Sequence, residues 1–501
     1  MSLREALKRA SPGDKVVLGS GIYHLGASSA PVRLGPPGSG PEDLTVFEAA
    51  PCARVILTSD DELPPAIVVS DYVRLERLWI GGKRLPCHRP KGLGDPGDCS
   101  RNAIVLGAVP RGVGRELVNN TIFGYFGGIV QGSSEKSLYQ GNRFVRVGGG
   151  SWGHPIYISG GYPRNADGRD GSWSFGRAIV DGNIIIASEG YGIHGWHHTH
   201  SNIVTRNFIA HDWWGMVLDG SSHLVANNVF WEELGSEHQR NNPWGPQLAG
   251  SGIVFINNVL GPRSGLEKGS LAAVFSKDPS AVEADNAFFG LEGRGVDAIA
   301  FPAGSERAEL GLSSADIESA IASLERSFSR SLGALLADET VEPAFARLRI
   351  KLPPSSSLLG KGIPWAQASA NIGPDAAAPR SVEGFWAAFS SLDMRSRNEF
   401  WAKFSIKGLP VFDRWGDPYA VSASTRARGD WKGSLGRDGF VLAGDSSRLP
   451  DGASVTVSAG SETAKTILWS SAVKDAKEGR ALQRPSSPER VAAAWASERL
   501  S

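Results

Sequence analysis

The side chains with the widest chemical repertoire are concentrated in one stretch of this 501-residue chain. Eight of its ten histidines lie between His154 and His238, and seven of its fifteen tryptophans lie between Trp152 and Trp244. Imidazole, phenol and carboxylate groups can move protons near neutral pH when neighbours tune them. An indole offers a flat apolar face to a ring-shaped ligand. The segment His-Pro-Ile-Tyr-Ile-Ser supplies His154 and Tyr157, and the next supplies Glu189, His194, Trp196, His197, His198 and His200. A third supplies Asp212, Trp213, Trp214 and Asp219. The insertion EELGSEHQRNNPWGPQLAG (232–250) adds Glu232, Glu233, His238, Arg240 and Trp244, and long loops of this kind commonly border binding grooves.

Such residues act together only if the chain folds them onto one surface, and a repeat in the same stretch provides the means. Segments such as LVNNTIF, IVDGNIII and LVANNVFW place an Asn at 120, 142, 183, 207, 228, 258 and 286. The intervals are 22, 41, 24, 21, 30 and 28 residues, a base period near 21–24 with insertions. Short strands, apolar residues at matching offsets and a recurrent turn Asn are the pattern of a coiled β-solenoid. The Asn side chain is expected at a turn, bonded to the coils above and below.

Successive side chains of a strand face opposite sides. Aligning the coils superposes Pro155–Ser159, Gly192–Trp196 and Gly215–Asp219. Ile156, Ile193 and Met216 then point inward. Tyr157, His194 and Val217 form one outward column, and Ser159, Trp196 and Asp219 form the next. With coils about 4.8 Å apart, Tyr157 and His194 are expected as stacked neighbours. A further column of Glu189, Asp212 and Glu233 is expected in the turn after the Asn strand, giving a wall of phenol, imidazole and carboxylate groups.

The remaining elements follow from local pattern. Residues 1–10 read as a short amphipathic helix, with Leu3 and Leu7 on one face, and short alternating strands follow through Gly82. Between about 312 and 337 the period becomes helical: Ile317, Ile321, Leu324, Phe328 and Leu332 share a face, with Ser313 or Ser314 as cap. This predicts a helical insertion packed on the solenoid before its last coil. Residues 374–410 read as a linker with short helices, and 411–501 as a β-rich module.

Several of these segments carry a family resemblance. LREAL followed by PGDKVVLGSGIY, EPAFARLRIKLPPSSSLLGKG (342–362) and the His-Pro-Ile-Tyr segment resemble the opening helix, closing coil and substrate face of pectate-lyase-like proteins. The resemblance implies an all-β fold, a right-handed parallel β-helix over 1–373, in a secreted or periplasmic carbohydrate-active protein acting on a polysaccharide. GDWKGSLGRDGFVLAG, ALQRP and RVAAAWAS resemble the start of an accessory module of secreted bacterial proteins. That comparison predicts further strands beyond Trp495, hence an incomplete module, and an upstream strand before the first helix. No signal peptide opens the chain.

Composition limits the alternatives. Lys+Arg and Asp+Glu both total 52, so no global field favours nucleic acid. No apolar run is long enough to span a bilayer. Three cysteines do not make a disulfide scaffold; Cys87 and Cys99 could close a Gly- and Pro-rich loop or stay free. WHHTH (196–200) lacks the acidic partners and i,i+4 spacing of a transition-metal site, so no metal ligands are assigned. RNADGRDG (164–171) has the oxygen-donor content for calcium without regular hand-loop spacing.

Three functions fit. A polysaccharide lyase would use Tyr157 with His154 or His194 as acid and base, and Arg164, Arg169 or Arg240 to neutralise a uronate. A glycoside hydrolase would draw two carboxylates from Glu189, Asp212, Asp219, Glu232 and Glu233. A glycan-binding solenoid would use the same groove without turnover. The fold alone does not choose between them.

Overall fold

The computed structural model describes residues 3–83, 104–105, 112–125, 130–132, 134–148, 153–159, 176–188, 190–196, 199–200, 202–212, 214–220, 223–231, 246–250, 253–261, 275–276, 282–291 and 297–361, with strand segments between 440 and 496. The chain divides into two compact units, 1–418 and 419–501.

Among the described residues, the first unit is a β-solenoid of three parallel sheets, of ten, eleven and nine strands. Each full coil contributes one strand to each sheet in turn, and strand pairing is parallel and in register from coil to coil. This is the arrangement of a β-helix, and it is consistent with the expected right-handed coil. The first sheet begins at Lys15–Leu18, the second at Gly21–His24 and the third at Val32–Leu34. The interior is apolar: Leu75, Leu117, Val180, Ile193, Ile209, Met216, Val225 and Phe255 are among its fully buried residues. Helix α1 (Leu3–Arg9) adds Leu3 to that core at its first coil.

Coil register is set at the turn between the first and second sheets. Two residues make the bend, the first left-handed (Asn119, Gly141, Gly182, Arg206, Asn227, Asn257 or Asp285) and the second a buried Asn. Those Asn residues form a continuous ladder, Asn120–Asn142–Asn183–Asn207–Asn228–Asn258–Asn286. At Asn207, Oδ1 accepts from the backbone N–H and the Nδ2 of Asn183, at 3.0 and 2.8 Å. Its own Nδ2 donates to the Val180 carbonyl and to Asn228 Oδ1, both at 2.9 Å. From Asn120 to Asn258 each buried amide is therefore paired in both directions, as burial requires, and the terminal Asn286 bonds back to Asn258 and the Phe255 carbonyl.

The three outer faces differ. The first carries charge: Lys15 and Arg77 pair with Glu48 at 2.7 and 2.9 Å, Arg74 with Glu116, and Arg206 and Gln140 with the buried Asp181. The second is apolar and covered. Trp79, Phe123, Ile186, Phe208, Trp231 and Phe289 pack against helices α2 (Glu306–Leu310), α3 (Ser314–Phe328), α4 (Leu332–Leu336) and α5 (Val341–Arg347). Ser313 caps α3 in a capping box with Asp316, and Arg54 binds the carbonyls of Leu335, Leu336 and Asp338 at the end of α4. Of the nominated residues, the third sheet carries Tyr157, His194, Trp196 and Trp214.

The helical part corrects two expectations. Among the described residues the solenoid strands end at Phe301, and the helices follow them. The stretch read as a closing coil holds α5 instead. Val341, Ala344, Phe345 and Leu348 are buried at helical spacing.

In the second unit, Lys465–Val473 pairs antiparallel with Arg490–Ala496, which pairs with Leu482–Gln483. Cys87 and Cys99 lie outside the described residues; Cys52 is a free, exposed thiol. No described helix is long and apolar enough to cross a membrane.

The ladder gives a stability test. Asn207→Ala leaves the Asn183 backbone N–H buried without its acceptor and removes both Nδ2 bonds. A loss of about 3 kcal/mol or more is expected on denaturant unfolding. Substitution of an exposed residue such as Val17, on the same coil scaffold, should cost a few tenths of that.

Candidate functional site

Three adjacent strands of the third sheet, Ile156–Ser159, Tyr191–Trp196 and Trp214–Leu218, place the side chains. Their register pairs Ile156 with Ile193, Tyr157 with His194 and Ser159 with Trp196, and then Ile193 with Met216 and His194 with Val217. Ile156, Ile158, Ile193, Met216 and Leu218 fill the interior. Two glycines make room for this packing. A Cβ on Gly195 would lie 2.7 Å from Leu218, and one on Gly192 only 2.4 Å from the Asp212 carboxylate.

Alternation then turns Tyr157 and His194 outward, as expected. Their rings are neighbours, with centroids 5.0 Å apart. Tyr157 is half-buried, and His194 is covered to 8 % exposure by the groups around it. Those groups include His154, edge-on at 4.3 Å, Tyr191, edge-on at 4.8 Å, and Trp196 at 5.4 Å.

Beside this pair runs a second column. His154, Tyr191 and Trp214 each precede an inward residue by two positions, and their rings stack along the solenoid axis. His154 lies on Tyr191 at 4.8 Å and 9°, and Tyr191 on Trp214 at 4.7 Å and 8°. Tyr191 was not among the residues singled out by type and spacing. Its offset from Ile193 matches that of His154 from Ile156, so the register itself marks it.

Burial sets the electrostatics of the stack. His154 is 3 % exposed; burial first, and then the neighbouring His194, hold its pKa well below the ordinary histidine value. Its Nδ1 accepts from the Tyr191 backbone N–H at 3.4 Å. His154 thus lies on the floor of the site, packed against His194, where burial disfavours its charged form. Burial also pushes the Tyr191 phenol up to about 12, so it keeps its proton.

Asp212 requires a further correction. It is completely buried, and its Oδ1 accepts the Ser188 N–H of the preceding coil at 2.9 Å. The pairing of Ile186 with Ala210 aligns Asp212 with Ser188 and not with Glu189. The supposed acidic column mixed offsets of five and six residues after the Asn, and a one-residue slip moves a side chain to the other face. Asp212 is a turn-stabilising acceptor, not a groove acid. Of the carboxylates nominated for hydrolysis, only Asp219 reaches the outer face among the described residues.

Trp196 and Asp219 are partly exposed in the third outward column, and Trp214 is buried at the end of the ring stack. His200 sits at the corner leading back to the first sheet, its backbone bridged to Gly176. Glu189, His197, His198, Trp213, Arg164, Arg169, Glu232, Glu233, His238, Arg240 and Trp244 lie outside the described residues. So does the 164–171 loop considered for calcium. Among the described residues no group of three His, Cys, Asp or Glu side chains is placed to hold a metal ion.

His223 also escaped the sequence reading. It is fully buried and continues a turn network: its Nδ1 accepts from the Asn202 N–H at 3.2 Å, and its Nε2 donates to the Asp219 carbonyl at 3.1 Å. Burial depresses its pKa to about 4.

No protein-family model and no curated protein matches the chain. Solved structures similar to it include an alginate lyase from Paenibacillus sp. str. FPU-7, at 16 % identity over 60 % of this chain and 95 % of that one, with a TM-score of 0.44. Pectate lyase Pel9A is 12 % identical over 75 % of this chain and 91 % of that one, with a TM-score of 0.31. The Dettilon tailspike protein is 14 % identical over 57 % and 60 %, also with a TM-score of 0.31. Likeness at this level assigns no role to any residue.

The two buried histidines predict an acid limb of stability. Their folded pKa values lie below that of an unfolded histidine, so the unfolded chain binds protons first. The stability they support is complete above about pH 6.5 and is lost as pH falls from there, through about 4 for His223. Each contributes a slope of up to about 1.4 kcal/mol per pH unit. Denaturant titrations between about pH 7 and 5 should show this fall. His223→Asn, which keeps an acceptor for Asn202, should roughly halve it; an unchanged slope would contradict the assignment.

Proposed function

We propose that this chain is a carbohydrate-active enzyme of the polysaccharide-lyase type, cleaving a uronic-acid-containing glycan by β-elimination along the third sheet. The observation that carries the reading is the pairing of Tyr157 and His194 in adjacent coils, outward-facing and 5.0 Å between ring centroids. β-Elimination needs two proton-transferring groups within reach of neighbouring atoms of one sugar. An imidazole and a phenol held by the same strand register meet that need.

A phenol ordinarily carries its proton at neutral pH, whereas a neutral imidazole can accept one. His194 then removes the proton from C5 of the uronate, and the C5–H electron pair becomes the C4–C5 double bond. The C4–O bond breaks, and the leaving oxygen takes the Tyr157 proton. His154 and Tyr191 stay neutral and keep the His194 ring in place. The uronate carboxylate must be neutralised for C5 to become acidic, and Arg164, Arg169 and Arg240 are the proposed partners. A protein of this activity would work on extracellular glycans, in keeping with a secreted or periplasmic location.

The test is direct. Incubated with uronate polymers, the protein should generate the ultraviolet band of a conjugated double bond, which hydrolysis does not produce. Tyr157→Phe should lower that rate by about 10²–10⁴-fold with circular dichroism and melting unchanged. Full activity of the variant would remove Tyr157 from the chemistry, and reducing ends released without the band would mark a hydrolase.

A further inference from the structure

Beyond Tyr157 and His194, two residues further along each strand, lies the column Ser159, Trp196 and, one coil on, Asp219. At ~3.3 Å per residue the two columns are on the order of 7 Å apart, room for one sugar ring. Trp196 is partly exposed, with its ring 5.4 Å from His194. Asp219 follows the inward Leu218 and is also partly exposed. Its backbone is pinned on both sides: its N–H donates to the Gly195 carbonyl at 2.8 Å, and its own carbonyl accepts from His223 Nε2 at 3.1 Å. Among the described residues its carboxylate takes part in no ion pair or hydrogen bond, unlike the carboxylates Glu48, Glu116 and Asp181 on the first sheet.

An indole and an unneutralised carboxylate on neighbouring coils, whose backbones lie about 4.8 Å apart, make a selective surface. The indole packs on the C–H face of a pyranose. The carboxylate accepts hydrogen bonds from sugar hydroxyls, strengthened by its charge, and repels a second carboxylate brought to the same place. We infer that this subsite takes an uncharged sugar, stacked on Trp196 and hydrogen-bonded to Asp219, so that the substrate is a mixed polymer in which uronate is flanked by neutral sugar. That the cleaved unit is the uronate rests on the reading of Tyr157 and His194 given above. The preference of the neighbouring subsite rests on Trp196 and Asp219 alone.

Affinity electrophoresis of the full chain tests the subsite without turnover. The mixed polymers are hyaluronan, unsulfated chondroitin and gellan; the homopolymers are polygalacturonate, polymannuronate and polyguluronate. At least one mixed polymer should retard the protein more than any homopolymer. Asp219→Asn should raise affinity for the homopolymers relative to the mixed ones by about fivefold at low salt. That gain should vanish at about 1 M salt, where the Debye length is ~3 Å, a dependence that a merely structural change would not show. Trp196→Ala should weaken the mixed polymer. Stronger retardation by a homopolymer, no retardation by any mixed polymer, or an Asp219→Asn ratio equal to wild type would each overturn the inference. Parallel measurement of the ultraviolet product band separates the two claims. Selective binding without the band defeats the lyase reading and leaves the subsite, whereas cleavage of homopolymers with an unchanged ratio does the reverse.

Discussion

A buried amide that accepts from one coil and donates to the next is satisfied in one register only. Along the Asn120–Asn286 ladder that condition is met six times, from Asn120 to Asn258, and each member fixes the position of its neighbour. Sliding one coil by a residue would break two side-chain bonds, orphan a buried backbone N–H and turn every inward side chain outward. The ladder lies at the corner between the first and second sheets, whereas the candidate chemistry lies on the third. The register set at that corner is nevertheless what brings Tyr157 opposite His194, since each coil carries it around from sheet to sheet.

The solenoid has three outer faces, and their side chains divide the tasks. Paired charges tile the first, so it offers few unmet groups. Aromatic and branched residues make the second apolar, and α2–α5 cover it, with Phe328 of α3 against Trp79 and Phe123. The third carries rings and polar tips. Its buried members, His154 and Trp214, hold Tyr191 between them, and Tyr191 in turn meets the edge of His194. A ring packed this way would lose little rotational freedom on binding a substrate, which is the benefit of a preorganised site.

Much of this was legible in the residues themselves. The Asn intervals reappear unchanged as the sequence separations of the ladder bonds, because the same turn recurs in every coil. The alignment of Ile156, Ile193 and Met216 is reproduced residue for residue, because period-two alternation with one buried face leaves little freedom. Where periodicity lapsed, reading by residue type failed. Asp212 looked like a groove acid because carboxylates often are, but at a corner the chain turns inward and its oxygen serves a backbone N–H. His154 matched a substrate-face motif, yet its neighbours cover it. Tyr191, at the start of its strand, and His223, in a turn, went unremarked because a single side chain carries no periodic signal until the coils are aligned. Residues 342–362 resembled a closing coil, but the apolar residues of 341–348 fall at helical spacing and pack as α5 on the second sheet.

The central claim is that Tyr157 and His194 work on one substrate as a unit. A double-mutant cycle in kcat/KM, built from Tyr157→Phe, His194→Ala and the pair, tests it most directly. Groups that act in the same elimination step cannot each be lost twice, so the double variant should be no slower than the worse single one. Losses that multiply, as for two independent sites, would contradict the account.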